Sequence, residues 1–390
     1  MLLEKVTQYC IAFFLILLTV SYFLGENGRI SYFPSYLIGI VGLGLALCGR
    51  FNLVIKSTKI TTILLATILG YFCLAILTTN GDFHSSLLYF GYSLLILSFV
   101  YGLVYACTTM EWFHDVFLST LVIAAAVSAA YSTYFFFNLD YQPLAERRLY
   151  ALGGLNNPVM SAMSYGAALS LCMSFFFVTK ERGLRILTLV LGIVLIVAIG
   201  LSGTRGVWIG LLAAGAATIF LMPNKSHQRR LMLILLCLIP ATLIAAYLSG
   251  FTELMLKRST SFRPEIWQAT ITQWLKGNLM LGAGIQTGFD LYIAPNKFMH
   301  PHSLYLSTLY YGGILGLGLL LMSIGRLFWV LLYKADLDVK TYALPLLVFG
   351  LVTLLFDGNR LVAKVDFLWL CFWLPVALTL LAESRANRVT

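Results

Sequence analysis

The chain has 390 residues, of which 60% are hydrophobic and only 11% are charged, and its mean hydropathy is +0.88. This composition carries more apolar surface than one soluble core can bury, so it excludes a soluble globular protein and indicates an integral membrane protein. The net charge of +10 does not indicate nucleic-acid binding, because no basic stripe with interleaved aromatic residues lies outside the apolar segments.

Hydropathy predicts an all-α polytopic bundle of about twelve membrane-spanning helices, with 1–390 as a single membrane domain. None of the apolar runs alternates as the strands of a β-barrel do. The first run lacks a small-residue cleavage pattern, which favours a retained span over a signal peptide. The predicted spans lie near residues 8–24, 33–49, 60–79, 84–106, 113–136, 158–178, 185–201, 206–222, 230–248, 303–332, 341–356 and 364–381.

An even number of spans places both termini on the same side of the membrane. If that side is the cytoplasm, most Lys and Arg residues of the short loops fall inside, as the positive-inside rule requires. A minority of arginines falls outside, where basic residues weaken the orientation signal, so we expect them to serve an anionic ligand. The arginines considered further are Arg147, Arg148, Arg205, Arg263 and Arg360.

The one long extramembrane segment predicted is the outer loop 249–301. It contains a helical pattern from Pro264 to Lys276. Trp267, Ile271 and Trp274 share one face of that helix, which predicts that it lies on the bilayer surface.

Two arginines have a structural and a functional interpretation. Arg205, in a short Ser-Gly-Thr-Arg-Gly turn between two apolar runs, is either an interfacial anchor or part of an anion site. Arg263 precedes Pro264 at the predicted start of a helix, where the helix dipole disfavours a cation. We therefore expect Arg263 to bind an anion together with free N–H groups of that helix.

Three other arginines have acidic neighbours. Arg147 and Arg148 follow Glu146, and Arg360 lies close to Asp357. A simple salt bridge is therefore as good an explanation of these arginines as an anion site.

His300-Pro301-His302 has a spacing that could suggest a metal site. A zinc site would need a third ligand, and the outer carboxylates supply no obvious one. The seven cysteines lie singly in or beside apolar runs, so we expect neither disulfides nor a metal. The glycines of 282–288 have no preceding strand and no following Lys, so they are a weak signal for a phosphate-binding loop. The glycines of 312–318 favour close helix packing.

His302-Ser303, followed after nine residues by Gly313-x-x-Gly316, resembles the signature of the bacterial O-antigen ligase superfamily, which also contains O-antigen polymerases and protein O-oligosaccharyltransferases. Three other stretches resemble that family's pattern in the same order. They are Arg148 before Gly153-Gly154 and Asn156-Asn157-Pro158, the turn 202–206 with Arg205, and Arg263 with Trp267. The likeness covers most of the chain from residue 145, whereas the first 140 residues match only in hydropathy.

The resemblance implies a metal-independent membrane glycosyltransferase of the C type, without a cofactor, in the bacterial inner membrane with its site on the periplasmic face. Such an enzyme moves a glycan from undecaprenyl diphosphate to a hydroxyl group, which in the ligases belongs to the lipid A-core. The implied partners are the lipid-linked donor, the lipid A-core acceptor and the bilayer. Chain length favours a ligase over the protein-modifying members, while a polymerase shares the same His and Arg pattern.

The implied chemistry needs fixed positive charge at the departing diphosphate and a base for the acceptor hydroxyl. We expect Arg205 and Arg263 to bind the diphosphate, with Arg148 and Arg360 as further candidates, since a guanidinium pairs bidentately with phosphate. His302 is the expected base, and a single displacement inverts the anomeric carbon. Supporting residues are Arg147, His300, Ser303, Trp267 and Asn157. A lipid flippase or transporter is the alternative from another class, but its site should lie near the bilayer midplane.

Overall fold

The computed structural model describes residues 2–25, 29–78, 83–138, 148–151, 155–221 and 262–389, with Ser226 and Arg230 as single positions. Within these ranges the chain is helical apart from loops and one short hairpin. The helices are α1 (Leu2–Leu24), α2 (Tyr32–Leu47), α3 (Asn52–Ser57), α4 (Lys59–Thr78), α5 (Phe83–Thr109), α6 (Phe113–Asn138), α7 (Pro158–Val178), α8 (Arg182–Ser202), α9 (Arg205–Leu221), α10 (Arg263–Lys276), α11 (Leu304–Tyr333), α12 (Leu337–Phe356) and α13 (Leu374–Val389). The hairpin pairs β1 (Leu291–Ile293) with β2 (Asn296–Phe298), and a π-helical turn (Trp369–Trp373) precedes α13.

Eight of these helices are long and apolar enough to cross a membrane, and α2 and α9 are shorter apolar helices. The prediction of an all-α multi-pass membrane protein is therefore confirmed. The predicted helix 264–276 corresponds to α10, which begins one residue earlier at Arg263 and has Gly277 as its C-cap. The predicted span near 230–248 lies outside the described residues.

The closest helix packing that bears on function joins α9 to α12. Gly206 and Gly210, one turn apart on α9, face α12: a Cβ added at Gly206 would lie 2.9 Å from the Cβ of Phe356, and one at Gly210 would collide with Thr353. Small residues at this spacing allow two membrane helices to approach closely. As a result, Arg205 at the start of α9 lies beside the end of α12.

Helix α11 is interrupted rather than continuous. Gly313 adopts φ 61° and ψ −165°, a conformation that residues with a side chain rarely adopt. Backbone hydrogen bonds of 2.8–3.3 Å join the loop residues 279–284 to residues 310–315 at this break. The glycines of 312–318 were expected to serve helix packing alone, and for Gly313 that expectation was wrong. The N–H groups of Ala283 and Gly284 donate to carbonyls at the break, so they do not form a phosphate-binding loop.

At the end of the bundle away from Arg205, a buried ion pair joins α11 to α13. Arg326 of α11 pairs with Glu383 of α13, and Glu383 is 1% exposed. Thr61 of α4 donates to Glu383 at 2.5 Å and accepts from Arg326 at 3.2 Å. A buried carboxylate needs such partners. Helix α13 continues to Val389, beyond the predicted end of the last span near residue 381.

Candidate active site

His302 lies directly before α11, where the long loop returns to the bundle. Its backbone is in the left-handed region at φ 51°, which is uncommon for a residue with a side chain and is often found at functional sites. Its N–H donates to Nδ1 of His300 at 3.3 Å, and the two imidazole rings are 3.8 Å apart between centroids. About a quarter of the His302 side chain is exposed. The imidazole is therefore held in one orientation while remaining open to a substrate.

Asp357 lies against His302. Its Oδ1 is 3.4 Å from Nδ1 of His302, and the backbone N–H of Gly358 donates to the same Oδ1 at 2.7 Å. Gly358 has φ 144°, and a Cβ there would lie 2.8 Å from the backbone nitrogen of Leu304. Ser307 of α11 also donates to the Gly358 carbonyl at 3.2 Å. The turn after α12 thus approaches α11 so closely that only glycine fits, and this approach brings the carboxylate to the imidazole.

The charge states of Asp357 and His300 follow from their burial and their contacts. Burial alone would raise the pKa of Asp357, but the hydrogen bond and the charge interaction with His302 outweigh burial and hold that pKa below its ordinary value. Burial, together with the charge of the nearby His302, lowers the pKa of His300 to about 4. At neutral pH Asp357 is consequently an anion and His300 is neutral.

Two arginines lie near Asp357. Arg263, the first residue of α10, donates from Nε to the carbonyl of Phe356 at 2.6 Å. Burial lowers the pKa of Arg263, Asp357 raises it, and repulsion from Arg205 lowers it, so all three charges lie within interaction range. The orphan carbonyl at the end of α12 is thus a partner for Arg263 within the protein, and the anion expected for Arg263 stays a prediction.

Arg148 has a structural role. Its Nε donates to the Ser202 carbonyl at 2.8 Å and its Nη2 donates to the Thr204 hydroxyl at 3.2 Å. Thr204 in turn donates to the carbonyl of Pro158 at 3.3 Å, so these contacts join the α8–α9 turn to the start of α7. Arg147 lies outside the described residues.

The predicted supporting residues have different surroundings. Asn157 caps α7 by accepting the Val159 N–H at 2.8 Å, which is a sufficient structural reason for an asparagine there. Ser303 is buried at the N-cap of α11. Trp267 is half-buried, and its buried indole nitrogen has no hydrogen-bond partner among the described residues. On α10, Ile266 and Thr270 form the buried face, next to the face that carries Trp267.

Arg360 does not pair with Asp357. Its Nη2 donates to the Thr287 carbonyl at 3.0 Å and its guanidinium lies 5.2 Å from the Tyr311 ring centroid. Its Nε is buried without a hydrogen-bond partner among the described residues. Arg360 therefore faces a different part of the site from Arg205 and Arg263.

The structure also supplies the third metal ligand that the sequence did not reveal. One ligand atom each of His300, His302 and Asp357 lie within 4.8 Å of one another. Two imidazoles and a carboxylate are a donor set that zinc accepts. However, Nδ1 of His300 already accepts the His302 N–H, and a metal on His302 would occupy the lone pair that a base requires. Chelation experiments separate these two uses of the same residues.

Two comparisons with known proteins concern the family of the chain. Residues 190–321 match the family model described as O-antigen ligase, and that segment includes Arg205, Arg263 and His302. An O-antigen ligase from Pseudomonas aeruginosa is 30% identical to the chain over 270 residues. Both matches support a member of the O-antigen ligase family. The aligned region is 66% of this chain and 62% of the relative, so the chain spans less than two thirds of that protein's length. The family resemblance predicted from His302 to Gly316 is confirmed.

Sequence reasoning missed the role of Asp357. The sequence presents this residue as an acidic neighbour of Arg360 and as one of the outer carboxylates. The available signal was the Phe356-Asp-Gly-Asn turn that ends an apolar run, since a flexible glycine after a buried acid favours an unusual turn. Nothing in the sequence pairs that turn with His302.

Proposed function

We propose that this protein is an O-antigen ligase that transfers a glycan from undecaprenyl diphosphate to a hydroxyl of the lipid A-core, on the periplasmic face of the bacterial inner membrane. The observation that carries the proposal is the His302–Asp357 pair with Arg263 in charge interaction with Asp357 and with Arg205. A base and fixed cations close to one another are what a single displacement at a sugar diphosphate needs.

The proposed step is a single displacement at the anomeric carbon. The acceptor hydroxyl oxygen attacks the anomeric carbon, its proton passes to Nε2 of His302, and the bond from that carbon to the diphosphate oxygen breaks. Undecaprenyl diphosphate leaves with the electron pair, and the anomeric configuration inverts. The proton on His302 is then released to water.

Each residue has a separate task in this step. Asp357 faces Nδ1 of His302, so it favours the tautomer with the proton on Nδ1 and leaves the lone pair of Nε2 free. Arg263 and Arg205 stabilise the negative charge that develops on the diphosphate, and their planar groups match phosphate oxygens. Arg148 supports the α8–α9 turn and so the position of Arg205.

The experiment that tests the proposal is cell-free transfer with purified protein, lipid-linked glycan and lipid A-core, without an ion gradient. Replacing His302 by Ala should lower turnover by about 10²- to 10⁴-fold, the usual contribution of a general base, with donor binding kept. His84→Ala is the matched control, because His84 is an exposed histidine at the start of α5. Wild-type turnover in His302→Ala would refute the base.

Two further arms separate the alternatives. Transfer that continues in EDTA supports the metal-free step, whereas loss in EDTA and recovery with a divalent cation would refute it. Absence of transfer, together with movement of the lipid-linked glycan across vesicle membranes, would indicate a flippase instead.

A further inference from the structure

A cavity of about 400 Å³ opens beside the proposed site, a volume within the usual range for small-ligand pockets. It lies between α1, α5 and the segment that follows α12. Four tyrosines line it together with two cations and an amide. These residues are Tyr22, Tyr32, Tyr89, Tyr92, Asn359, Arg360 and Lys364. We call this space the tyrosine cavity.

The tyrosine cavity lies next to the His302–Asp357 pair. Asp357 and Arg360 are three residues apart, so their Cα atoms are at most about 11 Å apart. Phe356, at the other side of Asp357, holds Arg263 through its carbonyl. The turn 356–360 therefore contacts Arg263 at its first residue and lines the tyrosine cavity at its last.

The cavity contains polar groups that lack protein partners. The Nε of Arg360 and the Oδ1 of Asn359 are buried without hydrogen bonds among the described residues. Lys364 lies 4.7 Å from the ring centroid of Tyr32, and no salt bridge joins Arg360 or Lys364 to an acid in the described part of the chain. Asp366, the one acid in the lining, accepts the Leu368 N–H at 2.8 Å. Buried polar groups without partners are costly and indicate a ligand.

The tyrosines form fixed walls. The hydroxyl of Tyr22 hydrogen-bonds Ser164 at 2.8 Å, and that of Tyr89 donates to the Ile285 carbonyl at 3.1 Å. Tyr92 packs edge-on against Tyr89 at 5.9 Å between centroids. A sugar ring has apolar C–H faces and a polar rim, and rigid aromatic surfaces with polar groups at their edges suit both.

We propose that the tyrosine cavity binds the acceptor as an anionic saccharide, with Arg360 and Lys364 at its anionic group and the tyrosines against its sugar rings. This inference depends on the proposed function. A single displacement needs the entering and leaving oxygens on opposite faces of the anomeric carbon. Arg205 and Arg263 serve the leaving group, so the space beyond Asp357 receives the entering one. Arg360 is thereby assigned to the acceptor instead of the diphosphate.

The test measures the KM for each substrate separately. The acceptor probe is rough lipopolysaccharide, which carries core sugars without O-antigen, and the donor is purified lipid-linked glycan. Lys364→Gln and Arg360→Gln should each raise the acceptor KM about ten-fold, the loss of one charge-assisted contact, and leave the donor KM unchanged. Lys364→Arg should restore the acceptor KM. Lys364 is exposed, so its replacement leaves folding intact, which thermal melting in detergent checks.

Matched controls come from the hairpin. Lys297 is an exposed lysine paired with Asp290 at 3.0 Å, and Lys297→Gln should change neither KM. Tyr92→Ala should raise the acceptor KM, whereas Tyr292→Ala, at a tyrosine that is 71% exposed, should not.

The outcomes are distinct. A raised donor KM with an unchanged acceptor KM in Lys364→Gln overturns the assignment in favour of the donor, and no change in either KM overturns it altogether. If His302→Ala keeps full turnover while Lys364→Gln still raises the acceptor KM, the role of His302 as the base fails and the cavity assignment stands. If His302→Ala is inactive and the cavity variants behave as wild type, only the cavity assignment fails.

Discussion

At the scale of single residues, three constraints make the proposed base rigid. His302 packs against neutral His300, faces Asp357, and has a left-handed backbone conformation. Each constraint removes a freedom that an isolated imidazole would have, so less reorganisation is needed when the substrate arrives. The carboxylate also selects which ring nitrogen carries the proton, which is a catalytic condition as well as a geometric one.

Asp357→Asn tests whether the charge of the carboxylate is required. An amide oxygen in place of Oδ1 still accepts the Gly358 N–H and still faces Nδ1 of His302, so the turn and the tautomer are retained. The negative charge that stabilises the imidazolium formed when the acceptor loses its proton is removed. We expect turnover to fall by about 10²-fold or more while the donor KM stays at its wild-type value. A purely structural carboxylate would instead lower thermal stability and affect both parameters together.

His300 predicts how stability depends on pH. Its pKa of about 4 in the folded protein is below the ordinary value of about 6.5, so the unfolded chain binds protons more readily. Stability is therefore lost as the pH falls from about 6.5 to about 4. The pKa of Asp357 is held below its ordinary value, so its carboxylate stabilises the fold at higher pH. That stability is lost only at still lower pH, as the carboxylate protonates.

Melting in detergent at about pH 7 and about pH 4.5 measures this dependence. His300→Gln should reduce the fall in Tm between the two pH values, since the group that takes up the proton is gone. His84→Gln, at an exposed position, should keep the wild-type fall. An unchanged pH dependence in His300→Gln would contradict the assignment of a buried neutral imidazole.

At the scale of helices and turns, α9 and α12 set the distance between the arginines and the base. Gly206→Ala tests this, because the added Cβ would lie 2.9 Å from the Cβ of Phe356, on the residue that precedes Asp357. Overpacking of this kind costs roughly 1–3 kcal/mol, so we expect a lower Tm and weaker transfer. Gly200→Ala on α8 is the control, because nothing lies within 4 Å of its added Cβ. Equal behaviour of the two variants would show that the close approach is not required.

The elements differ in how far the sequence determines them. The apolar helices follow from hydropathy because a membrane span needs only local sequence, and α10 follows from Pro264, its periodicity and Gly277. The break at Gly313 could not be predicted, since it depends on backbone bonds to residues 279–284. The contact of Asp357 with His302 joins residues far apart in sequence through a turn that only Gly358 permits. Hydropathy does not predict such a turn.

At the scale of the whole molecule, the groups of the proposed site gather at one end of the bundle. The part of α11 after Gly313, residues 314–333, is about 30 Å long at 1.5 Å per residue, which matches the hydrocarbon layer. The hairpin that precedes α11 and the loop that follows it therefore lie on opposite sides of a membrane. The buried Arg326–Glu383 pair belongs to the far end, away from the site.

Accessibility labelling tests this arrangement and the proposed orientation together. Single cysteines replace Lys297 in the hairpin, which is exposed, and Lys340 at the start of α12, which is partly exposed, in a chain without its native cysteines. A membrane-impermeant maleimide should label position 297 in intact spheroplasts and position 340 only after permeabilisation, because basic loops remain cytoplasmic. Labelling of both positions in intact cells would contradict the span between them. Labelling of position 340 alone would reverse the orientation and place His302 in the cytoplasm, where the proposed transfer to lipid A-core on the periplasmic face could not occur.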